Sequence, residues 1–327
     1  MERTPVFVNE DAEDRFAILP IKNKDLWDLY KCAVNATWFV HEVTLAGDII
    51  VWNDPSMLND GERHFIKTVL AFFVGSDKLV ADNINSNFIQ EVRMMEAEFF
   101  YDHQAFIERI HAEVYANMIA AYVPDEVESD HLFRSLETIP VIKRKGMWAD
   151  RYANADNASF AERLVAFAIF EGVFFSASFA SIFYFKKRGL LEGLCTSNDL
   201  ISRDEALHCR FACLLYSKLI EKLPEDRVHA TFEEAVDIEC EFVHEALKVD
   251  LIGMNASSMS GYVRFIADFW LRELGYMKLF NAKNPFDWMH LISMESKENF
   301  FETRVTNYAI GGGATEEENS YGVDDDF

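Results

Sequence analysis

The stretch from Leu164 to Phe185 is almost wholly apolar, and one carboxylate, Glu171, sits near its middle. Its length and its basic flank, Lys186-Lys187-Arg188, fit a membrane-spanning helix. An unpaired charge at that depth is costly, however. Gly172, Ser176, Ser178 and Ser181 also interrupt the run, and no second such stretch exists. The better reading is the buried central helix of a large bundle, carrying one functional carboxylate. No proline falls between Pro140 and Pro224, which leaves room for long helices. With 327 residues, half of them apolar, the chain has a sizeable core, and global disorder is excluded. Its 29 Phe against 14 Gly and 7 Pro favour helices over a turn-rich β fold.

Apolar periodicity predicts an all-α fold, with helices at 23–46, 59–88, 89–122, 126–139, 158–187, 197–222, 229–248, 257–281 and 289–301. Ser159-x-x-Glu162 reads as a capping box for the fifth. No fixed-period repeat, alternating strand pattern or Gly-rich phosphate loop is evident. The chain divides into an extended N-terminal segment at 1–22, a helical domain at 23–302 and a tail at 303–327. Gly311-Gly312-Gly313 opens an acidic run that ends at Phe327, which reads as a flexible acidic C-terminal tail. Composition alone leaves fraying and a docking peptide both open.

The 31 Lys and Arg stand against 55 Asp and Glu, for a net charge of −24. Such a chain repels phosphates and anionic lipid, so neither nucleic acid nor a membrane surface is an expected partner. Five cysteines without a CxxC suggest free thiols in a reducing, cytoplasmic setting. The acidic N-terminus has no apolar core of a signal peptide, so no targeting segment is expected.

Glu108-x-x-His111 lies in a helical pattern, with Tyr115 on the same face and Ile107, Val114 and Met118 beside it. Glu205-x-x-His208 repeats the motif on a face shared with Ile201 and Ala212. Ser202-x-x-Glu205 is itself a capping-box pattern, but a helix start at Thr196 or Ser197 is preferred because Leu200 and Ile201 already belong to the apolar stripe. Glu241-x-x-His244 is a third match, but Glu241 points away from its own apolar stripe and is rejected. Two inward motifs plus single carboxylates from other helices form the layout of di-iron or di-manganese four-helix proteins. Two hard cations held close together need several anionic oxygens, some of them bridging, with imidazoles completing each shell. Glu171 is the evident third carboxylate, since unpartnered it would be a costly buried charge. A satisfied polar network in the core is the alternative.

The run from Glu171 to Tyr216 resembles the small subunit of class I ribonucleotide reductase, of eukaryotic or large-virus type. So do RHFIKTVLAFFVGSDKLV, IERIHAEVY and LIGMNASSM. The resemblance extends from about Arg15 to Phe327. It implies a ferritin-like helical bundle, usually a homodimer, and metal ligands Glu108, His111, Glu171, Glu205 and His208, with Glu108 and Glu205 bridging. It implies two iron ions that react with dioxygen to leave a radical on Tyr115, shielded by Phe175 and Phe179. It also implies a relay through Trp27, Asp204 and Tyr308 to a separate large subunit that reduces ribonucleotides. The tail residues Tyr321, Asp326 and Phe327 would dock on that subunit.

In one segment the sequence departs from the expected pattern. The resemblance places a first aspartate ligand in a W-x-x-x-E-V-D-L segment, where this chain has Trp38 to Leu45 with Thr44 at the aspartate position. A hydroxyl is a weak, uncharged ligand. Manganese, incomplete occupancy, or help from Asp48 one turn on would then be expected. The alternative functions are a ligand-deficient support subunit paired with a competent one, and another ferritin-like oxidase or iron store.

Overall fold

The structure is a computed structural model and describes residues 6–8, 15–153, 157–247 and 254–286. The chain divides into compact units at Met1–Pro285 and Phe286–Phe327. The predicted helix 289–301 and the tail from 303 lie outside the described residues.

Among the described residues there are helices and no strand, only an isolated bridge between Phe7 and Leu219. The helices are α1 (Lys24–Ala36), α2 (Ala46–Asn53), α3 (Asp60–Asn83), α4 (Met95–Tyr122), α5 (Glu126–Phe133) and α6 (Pro140–Ala153). They continue as α7 (Phe160–Ile169), α8 (Ser176–Lys187), α9 (Glu192–Ser217), α10 (Glu225–Ala246) and α11 (Ala256–Glu273). Between α7 and α8 the chain does not break. It widens into a π turn at Phe170–Phe174, the kind of bulge that often marks a functional site. The apolar stretch around it is fully buried in the molecule, so it is a core helix.

Local chemistry explains most boundaries. Asn59 and Glu62 cap α3 reciprocally, as Ser159 and Glu162 cap α7. The predicted helix 23–46 stops at Ala36. Beyond it only Val40–Glu42 forms a 3-10 turn, and Thr44 is exposed. The unpredicted α6 begins on Pro140. Proline suits the first helical position because its missing N–H would have no partner there. Helix α9 starts earlier than predicted, at Glu192, so Ser202 is mid-helix and its capping alternative falls away.

Asp48 caps the start of α9. It accepts from Gly193 N at 2.9 Å, Leu194 N at 2.8 Å and the Tyr122 hydroxyl at 2.7 Å. Helices α3 and α4 pack along each other, as do α7 and α9. These helices and the π turn surround the centre of the core.

Candidate metal centre

Four segments send ionisable side chains into that centre: Asp77 from α3, Glu108 and His111 from α4, Glu171 from the π turn, and Glu205 and His208 from α9. All six are buried, none more than 3% exposed. They form two groups able to hold a cation. One is Glu108, Glu171, Glu205 and His208; the other is Asp77, Glu108 and His111, so Glu108 belongs to both.

Two carboxylates, the shared Glu108 and Glu205, span the imidazoles. Glu108 places Oε1 3.0 Å from His208 Nδ1 and Oε2 3.4 Å from His111 Nδ1. Glu205 places Oε2 2.9 Å from His208 Nδ1 and Oε1 3.1 Å from His111 Nδ1. Each carboxylate thus faces both sites, as a bridging ligand must. Asp77 and Glu171 stand at opposite ends. Gln104, one turn before Glu108, donates to Glu171 Oε1 at 3.4 Å.

The donors fit a pair of divalent cations. Asp77 Oδ2, both Glu108 oxygens and Glu171 Oε2 are buried without a hydrogen-bond partner, which is costly unless something else satisfies them. Four carboxylates offset the charge of two divalent cations, and two imidazoles complete a mixed O/N shell.

Protonation follows the same crowding. Burial, then the Glu108 carboxylate, pushes Asp77 well above the usual carboxylate range. Burial, then Glu205, does the same to Glu171. Burial alone would raise Glu205 too, but the hydrogen bond with Glu171 and the charge of His208 drive it well down. Burial opposes charge on His208, yet Glu205 and Glu108 raise it to about 9. His111 is raised against burial by Asp204, Glu108 and Glu205. Cations therefore compete with protons on Asp77, Glu171, His111 and His208, and the site fills more readily as pH rises.

Asp77, and not Thr44, stands with Glu108 and His111 in the structure. Thr44 is exposed, and its carbonyl packs against Gly193, where an added Cβ would lie 2.5 Å from it. Asp48 is committed to the start of α9. The acidic residue that completes the second group is Asp77, in the quoted run LAFFVGSDKLV. With Asp77 in place, a carboxylate stands beside Glu108 and His111 without any contribution from Thr44.

Tyr115 is buried on the face of α4 shared with Glu108 and His111, and its hydroxyl has no partner. Burial, then the charge of Asp77, raises its pKa well above that of an ordinary phenol. Its ring stacks on Phe73, centroids 4.5 Å apart. Phe175 and Phe179 pack on Phe73 at 5.6 and 5.1 Å, so they stand behind the ring that Tyr115 touches. Phe73 and Asp77 are one turn apart on α3, which brings the ring and the carboxylate together.

Asp204 is also placed centrally, and the indole that meets it is that of Trp38. Trp38 Nε1 donates to Asp204 Oδ2 at 2.7 Å, and His111 Nε2 lies 3.1 Å from the same oxygen. The indole also stacks on the His111 ring at 6.0 Å. The Asp204 contact holds the His111 proton on Nε2 and leaves Nδ1 for a metal. Trp27 is half-buried among Tyr30, Phe99 and Lys31. Glu241 and His244 are exposed, in keeping with their rejection. Tyr308, Tyr321, Asp326 and Phe327 lie outside the described residues.

Comparison with known proteins agrees with this site. A family profile described as the ribonucleotide reductase small chain matches residues 15–285. The ribonucleoside-diphosphate reductase small subunit of Dictyostelium discoideum is 51% identical over 95% of this chain and 91% of its own. The small chain of variola virus is 48% identical over 96% of this chain and 97% of its own. The ribonucleotide reductase Rnr4 homodimer from Saccharomyces cerevisiae superposes with a TM-score of 0.77 at 32% identity, covering 92% of this chain and 91% of that one.

Proposed function

The chain belongs to the ribonucleotide reductase small-chain family, and from that premise we propose that it generates an oxidising equivalent on Tyr115 and delivers it to a large subunit. It is the small chain of a ribonucleoside-diphosphate reductase, an oxidoreductase. One observation carries the proposal: two cation-holding groups share Glu108 beside a buried phenol whose hydroxyl has no partner.

Asp77, Glu108 and His111 would hold one metal, and Glu108, Glu171, Glu205 and His208 the other, with Glu205 also reaching the first. We assign iron, and the same donors accept manganese. Bound in the reduced state, such a pair supplies the oxidising power when it meets dioxygen. Tyr115 keeps its proton at rest because burial and Asp77 oppose ionisation. Its oxidation therefore removes an electron and a proton together. Phe73, backed by Phe175 and Phe179, keeps water and reductants from the resulting phenoxyl.

Trp38, Asp204 and His111 form the outward path. When the Trp38 indole is oxidised, Asp204 Oδ2 takes the proton from Nε1, to which it is already bonded. We propose that Tyr308 continues this path, and that Tyr321, Asp326 and Phe327 dock the tail on the large subunit. A homodimer is the expected assembly, the form of the yeast relative. None of the five cysteines is in a disulfide, which supports a reducing, cytoplasmic setting.

Deleting residues 319–327 is expected to abolish binding to the large subunit and ribonucleoside diphosphate reduction, with the melting temperature unchanged. Undiminished affinity in the truncated protein, measured by titration against the large subunit, would contradict the docking role.

A further inference from the structure

Three consecutive carbonyls of the π turn that carries Glu171 accept hydrogen bonds from side chains. Gly172 O takes Trp270 Nε1 at 3.2 Å, Val173 O takes Ser176 Oγ at 2.7 Å, and Phe174 O takes Lys145 Nζ at 3.1 Å. Trp270 sits so close that a Cβ on Gly172 would lie 2.5 Å from its Nε1. The turn is gripped by side chains of α6, α8 and α11.

Lys145 is the unusual member. It reaches in from α6, is fully buried, and pairs with Glu239 of α10 at 2.5 Å. Its ammonium lies 3.6 Å from the ring centroids of both Phe72 and Phe242. The two charges meet each other, the Phe174 carbonyl and phenylalanine rings, and the electron path described above does not use them. Burial lowers Lys145 to about 8 and raises Glu239 to about 7, so the pair is held against its own desolvation. An apolar pair of similar volume would fill the core as well or better. What such a pair cannot do is donate to the Phe174 carbonyl.

We propose that Lys145, oriented by Glu239, is a positioning residue that fixes the π turn and so aims the Glu171 carboxylate at its metal. A π turn holds one more residue per turn than the α-helix on either side and gains its shape from what surrounds it. The Lys145 bond pins the last residue of that turn, three positions from Glu171. Partners that orient a ligand from behind commonly set metal affinity as strongly as some ligands do. The proposal rests on the dimetal reading given above.

The test is anaerobic equilibrium dialysis of the metal-free full chain against Mn(II), with the Mn(II) EPR spectrum recorded at each occupancy. Lys145→Met alone would leave Glu239 buried without its partner, so the informative variant is Lys145→Met/Glu239→Leu, which removes both charges. It is expected to fold with a melting temperature close to the parent's. One Mn(II) should bind as in the parent, and the second should bind about ten- to a hundredfold more weakly, with an altered EPR spectrum. Glu239→Gln, which keeps Nζ and an acceptor for it, should restore near-parent binding. Parent affinity at both sites with an unchanged spectrum would show that the pair only packs the core. Equal weakening at both sites, or failure of the double variant to fold, would also overturn the proposal, because the pair would then be holding the bundle and not one turn. A parent that binds no Mn(II) or Fe(II) would instead overturn the dimetal reading, and that result is seen before any variant is compared.

Discussion

Asp77→Ala is expected to empty one of the two metal sites and to abolish the Tyr115 radical, whereas Thr44→Asp is expected to change neither. Asp77 supplies the only carboxylate besides Glu108 in its three-residue group. Without it the remaining charge no longer offsets a divalent cation, and affinity at that site should fall by more than about a hundredfold, beyond the usual cost of removing an outer partner. Thr44 is exposed, so a carboxylate there meets water. The metal-free Asp77→Ala protein should be no less stable than the parent. Its carboxyl is buried with one oxygen unsatisfied, and removing it relieves that cost. Metal analysis per chain, EPR and a thermal melt read all three. Full occupancy in Asp77→Ala, or a gain on Thr44→Asp, would return the first ligand to the Trp38–Leu45 segment.

Trp38→Phe is expected to lower ribonucleotide reduction with the large subunit by on the order of a thousandfold while Tyr115 still forms its radical. Phenylalanine fills most of the indole volume but has no N–H to give Asp204 and is far harder to oxidise. The lost charge-assisted hydrogen bond costs about 1.5–3 kcal/mol of stability, which the fold can absorb. Trp27→Phe removes an aromatic neighbour of Tyr30 and Phe99 and should leave turnover near the parent's. A turnover loss in Trp27→Phe with none in Trp38→Phe would reverse the assignment of the path.

The placements of Asp77 and Trp38 show what periodicity can and cannot reveal. Glu108, His111, Glu205 and His208 are legible because the i, i+3 spacing puts each pair on one buried helix face. Glu171 is legible because it is a lone charge in an apolar run. Asp77 carries the same signal, an acid one turn from Phe73 on the buried face of α3, but with Lys78 and Asp82 beside it and no histidine three positions on, it reads as part of an ordinary helix. Trp38 carries no such signal. It lies past the end of α1, where no helix period runs, and its partner Asp204 is 166 residues away. The Thr44 expectation comes from the resemblance, through the W-x-x-x-E-V-D-L pattern, and not from periodicity. The predicted helices leave 140–157 empty, whereas Pro140 opens α6 there and Lys145 lies within it.

Reconstitution of the metal-free protein with ferrous iron and dioxygen tests the central claim most directly, with metals per chain and the tyrosyl EPR signal read on the same sample. The expected result is two irons per chain and a tyrosyl signal that disappears in Tyr115→Phe while metal content stays the same. One iron or none, or a tyrosyl signal that survives Tyr115→Phe, would contradict a complete dimetal centre serving Tyr115.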